Sequence, residues 1–464
     1  MIAQRIAIIG GGCAGTLLAA QILRQARGPT NVVLIERSPP PGRGLAHGTK
    51  YEEHLLNVPA ARMSAWPDDP DHFLRWAREL AGHLGIPGQV GSGDFLPRRM
   101  YGLYLTEVLE QARENAASDV TLEIVAGEAI DLEETGEGGR ITLADGSAIS
   151  ARWVVLALGV LPGEYPIRRP LPFYHGPRYV HVPWAPGALD RIGKHEDILV
   201  VGAGLTAVDI IVQCRALGRC GVIHALSRRG LRPQAHRDGL PPYPPFLAPN
   251  LLPTTVRAVF ARLRQEVRDA AARGVDWRAV VDAIRPVSQA LWQGFSWEER
   301  ARFMRHVRPF WEAHRHRIPP ATAAIIQSME KAGRLKFHAG RLTSLRDTEN
   351  GAAVLVKVRG TEDFMALRVA KVINCTGPRT DYSKYQHPLL INLLAAGLIS
   401  HDALALGIDA LPDGQVLRYN RKPVGWLFTI GAPLKGVLWE STAVAEIRVQ
   451  AQVQAKRIVD TWAC

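Results

Sequence analysis

Two glycine clusters in this sequence have the spacing that lets main-chain amides hold a phosphate. Gly10-x-Gly12-x-x-Gly15 follows the apolar run "IAII" and precedes "TLLAA", and Gly202-x-Gly204-x-x-Ala207 follows "DILVV". In such a turn the first glycine makes the tight bend and the second admits phosphate to the backbone. The third position lets the helix pack closely on the strand, and the helix start supplies N–H groups. The strand after the first cluster, "NVVLIE", ends in Glu36, roughly 20 residues past Gly15, where a carboxylate can accept hydrogen bonds from a ribose diol. The strand after the second, "GVIHALSRRG", reaches Ser227, Arg228 and Arg229 instead. Guanidinium groups suit a 2′-phosphate that a carboxylate would repel. The first cluster is therefore expected to hold FAD and the second NADPH.

These turns need strands and helices to present them. Apolar strand, glycine turn and apolar-periodic helix occur twice, which predicts an α/β protein with two Rossmann-like dinucleotide-binding domains. Two further apolar runs, "WVVLALG" ending at Gly159 and "VINCTG" ending at Gly377, echo each other, and both terminal glycines are expected at the cofactors. The expected organisation is an FAD-binding domain in two parts, 1–165 and 366–464, interrupted by an NADP-binding domain over 166–365. Within the latter, "LPPYPPFLAPNLLP" is too rich in proline for helix interior. The helical pattern beyond it predicts a helical insertion over about 240–332, the natural place for substrate selection.

Composition narrows the class. The 464 residues carry a net charge of +12, but Arg and Lys are scattered and no nucleic-acid module is recognisable, so no nucleic-acid role is expected. No apolar run reaches the length of a membrane span, and the first strand reads as fold rather than leader. The five cysteines, Cys13, Cys214, Cys220, Cys375 and Cys464, form neither a Cys-x-x-Cys pair nor a metal-ligand pattern. A cytoplasmic setting without metal is the expectation. Cys13, inside the glycine turn, and Cys375, at a strand end, read as packed side chains rather than nucleophiles. His314 and His316 stand two apart, which does not place them on one helix face; the expectation for "HRHR" is a substrate or pyrophosphate contact rather than a metal site.

Several segments carry a resemblance: "GRGLAHGT", "HLLNVPAARMSAWPDDPDHFLRWA", "FLPRRMYGLYL", "RPFWEAHRHRI" and "IGAPLKGVLWESTAVAEIRVQA", with both glycine clusters. With these the chain resembles a bacterial family of FAD/NAD(P)-binding proteins within the two-dinucleotide-binding-domain flavoproteins. The order of motifs is similar to that of class B flavin monooxygenases, including those that N-hydroxylate ornithine and lysine. The resemblance implies that Pro97, Arg98 and Tyr104 open a helix beside the flavin. It implies that Arg43, in the "GRG" run, and Gly431, with the amides of the following helix start, face the cofactor. "FYHGPRYVHVPW" departs from the Baeyer–Villiger fingerprint spacing, so His181 and Trp184 inherit no role, and the redox cysteine pair of the disulfide reductases is missing.

The polar, proline-punctuated stretch around Asn57, Arg62, Ser64 and Trp66 reads as a cofactor-facing loop. Asn57 and Arg62 are expected to approach the flavin and Trp66 to wall the substrate pocket. The leading expectation is an NADPH-dependent FAD monooxygenase that uses dioxygen to hydroxylate a small molecule at an amine or amino-acid nitrogen. An FAD-dependent reductase or dehydrogenase without oxygen insertion, and a redox sensor that holds FAD structurally, use the same two sites. Oligomeric state is not legible.

Overall fold

The computed structural model describes residues 4–83, 89–185 and 187–461; Cys464 lies outside them. The strand β1 (Gln4–Ile9) pairs in parallel with β2 (Thr30–Glu36) on one side and β7 (Trp153–Leu156) on the other. Ile6, Ala7 and Ile8 have no exposed surface, as expected of a central parallel strand covered on both faces. β3 (Val120–Ala126) and β16 (Pro423–Thr429) extend the sheet in parallel, and β15 (Gln415–Leu417) closes one edge, for an order β15-β16-β7-β1-β2-β3. Between β3 and β7 the strands β4 (Ala129–Thr135), β5 (Gly138–Leu143) and β6 (Ala148–Ala151) form an antiparallel meander.

The second sheet repeats this plan. β9 (Ile198–Val201) lies between β10 (Ile223–Ser227) and β14 (Lys371–Asn374), both parallel to it. β8 (Tyr179–Val180) and β11 (Leu335–Thr348) flank these, and β12 (Gly351–Val358) and β13 (Phe364–Val369) add an antiparallel edge. The order β8-β14-β9-β10-β11 matches β16-β7-β1-β2-β3 strand for strand. This corrects the expected boundary at 365: β13 and β14 pair with β12 and β9, so the second unit runs to Asn374 and "VINCTG" ends its own sheet.

The insertion also ends earlier than expected. The helix Pro320–Lys331 packs on Leu205–Ala216 and on β11 as the crossover between the parallel strands β10 and β11, with Ile326 and Met329 in that unit's core. What remains of the insertion are the helices Val256–Ala272, Trp277–Asp282, Ser288–Gly294, Trp297–Arg302 and Arg308–Arg315. They have a small core of their own around Leu247, Val256, Leu291 and Phe295. Trp292 docks them against Trp439 at 4.8 Å between ring centroids and donates its indole N–H to Gly436 O at 2.9 Å.

The first unit is completed from the far end of the sequence. The helix Val444–Asp460 lies along Cys13–Gln25, and Ile447, Ala451, Ala455 and Ile458 join the core formed by Leu17, Leu18 and Ile22. No helix among the described residues is long and apolar enough to cross a membrane.

Candidate functional site

The glycine turns are built alike. Gly10 adopts φ +107° and donates its N–H to Ile35 O at 2.9 Å; Gly202 adopts φ +123° and donates to Leu226 O at 2.7 Å. A Cβ on Gly10 would stand 2.4 Å from Ala157 O, and one on Gly202 would stand 1.9 Å from Cys375 O. Each turn is thus pressed against the end of the neighbouring strand, β7 or β14, just before Gly159 or Gly377, and only glycine combines that φ with that approach. Gly15 serves packing: its Cβ would lie 1.9 Å from Gly10 O. Ala207, at the matching position of the second unit, is fully buried. By contrast Gly12 and Gly204 open outward, with nothing near a Cβ on Gly204 and only Gly44 Cα, at 3.8 Å, near one on Gly12.

Glu36 turns back onto the first turn. It accepts from Gly11 N–H at 2.7 Å through Oε2 and from Ser38 N–H at 2.8 Å through Oε1. Each oxygen keeps a further lone pair for an outside donor. Gly11, absent from the expected set, leaves room for this contact, since a Cβ there would stand 3.0 Å from Glu36 Cβ and press on that side chain.

Both turns line one cleft of about 2030 Å³. The first contributes Gly10, Gly12, Glu36, Arg43 and Gly159; the second contributes Gly202, Gly204, Arg228, Arg229 and Gly377. A single drug-sized ligand uses roughly 300–1,000 Å³, so this space suits more than one nucleotide. A dinucleotide fits the structure at each turn: the starts of Cys13–Gln25 and Leu205–Ala216 have glycine caps with no capping side chain, so first-turn N–H groups face the cleft. His47, which follows Arg43 and Gly44, adds an unpartnered buried Nδ1 on the wall. Burial, aided by the charge of Arg98, pushes the His47 imidazole down to about 3, so it stays neutral. A histidine set among glycines in "GRGLAHGT" was the available signal, and composition alone did not single it out.

Arg98 lines the cleft, yet two of its nitrogens are engaged: Nε donates to Leu55 O at 3.0 Å and Nη2 pairs with Asp209 at 2.8 Å. Asp209 sits on the first-turn side of Leu205–Ala216, so this expected cofactor contact also ties the two units together. Burial raises the Asp209 carboxyl to about 6, Arg98 opposing the rise. Trp184 packs beside the pair, 5.4 Å from the Arg98 guanidinium. Tyr104, matched to the same motif, does not face the cleft; its hydroxyl accepts from Ala65 N–H at 3.0 Å and meets His72 Nδ1 at 2.8 Å.

That arrangement accounts for two departures. Asn57 lines the cleft, but Trp66 is buried in the first unit's core beneath Arg24, 4.9 Å from its ring, because the loop 64–72 folds onto Tyr104 rather than outward. Trp66 is therefore not part of the described cleft wall. Arg62 closes a short turn, Ala60–Arg62, and is exposed away from the cleft. Gly431, with φ +78°, lies behind the first turn, its Cβ position 3.0 Å from Ala14 Cβ, while the neighbouring Ala432 reaches the cleft.

Cys13 lines the cleft with a thiol that burial pushes up to about 12. His316 lines it too, whereas His314 folds back so that Nδ1 meets Phe310 O at 2.8 Å. No group of three or more His, Cys, Asp or Glu side chains suited to a metal occurs among the described residues.

Two parallel-sheet units of equal strand order, each with a glycine turn at the strand ends facing a common cleft, define an α/β fold with two dinucleotide-binding domains. Residues 7–161, about a third of the chain, match the family model described as FAD-NAD(P)-binding. The whole chain superposes on the reduced form of ornithine hydroxylase from Pseudomonas aeruginosa with a TM-score of 0.66 at 13% identity, covering 100% of both chains. It superposes on ornithine N-hydroxylase from Kutzneria sp. 744, solved with reduced FAD, NADP+ and L-ornithine, with a TM-score of 0.62 at 15% identity, again over 100% of both chains. These likenesses establish the fold. A nitrosuccinic acid synthase from Aspergillus oryzae is 27% identical over 175 residues, which span 34% of this chain and 26% of that protein.

Proposed function

We propose that the protein is an NADPH-dependent FAD monooxygenase that oxygenates a nitrogen-bearing small molecule. The observation that carries this reading is the single cleft onto which both glycine turns open, one ending in Glu36 and the other in Arg228 and Arg229. FAD, when bound, accepts two electrons from reduced nicotinamide and passes them to dioxygen. The chain's own contribution is binding, orientation and exclusion of water. The amides at the start of Cys13–Gln25 hold one pyrophosphate, and Glu36 accepts from the adjoining ribose. The amides at the start of Leu205–Ala216 hold the other, with Arg228 and Arg229 toward the 2′-phosphate. Neutral His47 and Asn57 offer hydrogen bonds on the wall between, and the insertion roofs one end with Met304, Arg308 and His316.

The nitrogen substrate is supported by likeness in fold to the ornithine hydroxylases and by the partial match to the nitrosuccinic acid synthase. The test is to load the protein with FAD, mix it anaerobically with NADPH and follow flavin bleaching, then admit oxygen with candidate amines. Bleaching followed by a hydroxylated amine supports the reading. Bleaching with all oxygen recovered as hydrogen peroxide favours a reductase, and no bleaching leaves a protein in which FAD is structural.

A further inference from the structure

Two of the segments that carry the family resemblance, far apart in sequence, meet at one end of the cleft. Arg308, Glu312, Arg315 and His316 come from "RPFWEAHRHRI", and Lys435 and Glu440 from "APLKGVLWES"; all six line the cleft. Their charges pair off with one exception. Arg308 Nε meets Glu312 Oε1 at 2.7 Å, and Arg315 Nη2 meets Glu440 Oε2 at 3.0 Å. Glu440, at a φ of +67°, also accepts from the Trp311 indole N–H at 3.3 Å through Oε1. Nearby, Arg285 is matched by Glu446 at 3.0 Å.

Lys435 is the remaining cation. No carboxylate oxygen lies within 4.0 Å of its Nζ among the described residues, and the ammonium rests 5.0 Å from the centroid of the Trp439 ring. Burial, with Arg308 adding to it and the more distant Glu312 and Glu440 carboxylates opposing it, pushes the amine down to about 8, so it remains mostly charged at neutral pH. A half-buried ammonium with no carboxylate paired directly to it is costly until an anion arrives. The anion expected is monovalent, since a single positive charge is left over. A phosphate dianion would call for a second unmatched cation, and the nucleotide phosphates have the two helix starts.

We infer that Lys435 sets substrate specificity by taking a carboxylate of the small-molecule substrate. The inference rests on the reading of this cleft as a small-molecule site and names the substrate's class as carboxylate-bearing. Arg308 and His316 flank the position, and Trp439 supports the ammonium from below. Because Arg308, Arg315 and Arg285 are already paired, the loss of Lys435 removes the cation at this end that has no directly paired carboxylate among the described residues.

The experiment is a binding titration of oxidised, FAD-loaded protein without NADPH, read from the flavin absorbance. Succinate and L-aspartate are the probes, with cadaverine as the carboxylate-free control. The expected result is that both acids perturb the flavin spectrum and cadaverine does not. Lys435→Met should weaken the acids at least tenfold, while Lys435→Arg stays within a few-fold of the parent. Equal acid binding by parent and Lys435→Met would overturn the inference, as would absence of any response to the acids. So would a Lys435→Met variant, matched in melting temperature, that loses NADP+ affinity instead, since that assigns the charge to the nucleotide. Failure of oxygen transfer with intact Lys435-dependent binding would count against the proposed reaction alone.

Discussion

Arg98 Nη2 and Asp209 Oδ2 stand 2.8 Å apart, and this ion pair joins the first turn of a helix in one nucleotide unit to a helix of the other. Their side chains are 14% and 7% exposed, so solvent screens the pair little. Removing one partner of a buried pair costs about 3–5 kcal/mol, much of it the penalty of stranding the other. Arg98→Met and Asp209→Leu are each expected to lose stability on that scale, and the double variant less than their sum. Denaturant titration of the four proteins measures the coupling, and strictly additive losses would remove the tie.

The two glycines of the second turn separate folding from binding. Gly202→Ala forces a side chain at φ +123° against Cys375 O. The backbone strain alone costs about 1–3 kcal/mol, and the steric overlap adds to it. Gly204→Ala meets no neighbour and, alanine being the poorer helix cap, loses about 0.5–1 kcal/mol, while its methyl stands where phosphate must approach. The unfolding temperature is expected to drop further for Gly202→Ala than for Gly204→Ala. NADPH affinity should fall in both.

Arg228 is the cleaner probe of nucleotide choice. Arg229 also donates to Arg305 O at 3.2 Å and lies against Phe310, so replacing it disturbs the insertion, whereas the Arg228 side chain is exposed on the cleft. A hydrogen bond to a charged group contributes about 1.5–3 kcal/mol. Arg228→Ala is expected to reduce the preference for NADPH over NADH by about 10- to 150-fold, leaving NADH affinity unchanged, as read from flavin reduction rates over a range of each nucleotide.

With its thiol pushed up to about 12, Cys13 holds a negligible thiolate population near neutral pH, and the thiolate is the reactive form. Iodoacetamide at pH 8 should leave Cys13 unmodified in the FAD-loaded protein by peptide mass spectrometry. Alkylation of Cys13 at the rate of a model thiol would contradict its burial.

Lys435 also gives a pH signature. Its amine lies below the usual lysine value because burial penalises the charged form, so the positive charge is present below about pH 8 and lost above it. Succinate affinity is expected to be highest near neutral pH and to fall through about pH 8 as the charge is lost, and the fall should move upward in Lys435→Arg. The facing groups Arg308, Glu312, Arg315 and Glu440 are matched in pairs, and burial holds His316 neutral.

Local sequence made the nucleotide turns readable because glycine spacing, strand and helix lie within some 30 contiguous residues. The Glu36 and Arg228 strand ends were readable for the same reason. Contacts made across the fold were not. Asp209 is an ordinary helix residue until the fold brings Arg98 to it, and Lys435 acquires meaning only beside Glu440 and Arg308. Trp66 misled because its loop is polar and rich in proline, while the partner that turns it inward, Tyr104, is supplied by another helix. The boundary at 365 was misplaced because "VINCTG" resembles residues 154–159; the resemblance reflects equal rank in two sheets rather than membership of one.

The nested chain path fixes an order of assembly. All seven strands of the second sheet are contained within residues 179–374, whereas the first sheet needs β16 and the covering helix Val444–Asp460 from the far side of that span. A chain emerging from the ribosome can close the inner unit while Leu17, Leu18 and Ile22 of the outer one still lack their cover. The first unit, though it begins ahead of the inner one, is thus sealed after it, and its apolar helix face is the stretch a chaperone would have to guard meanwhile.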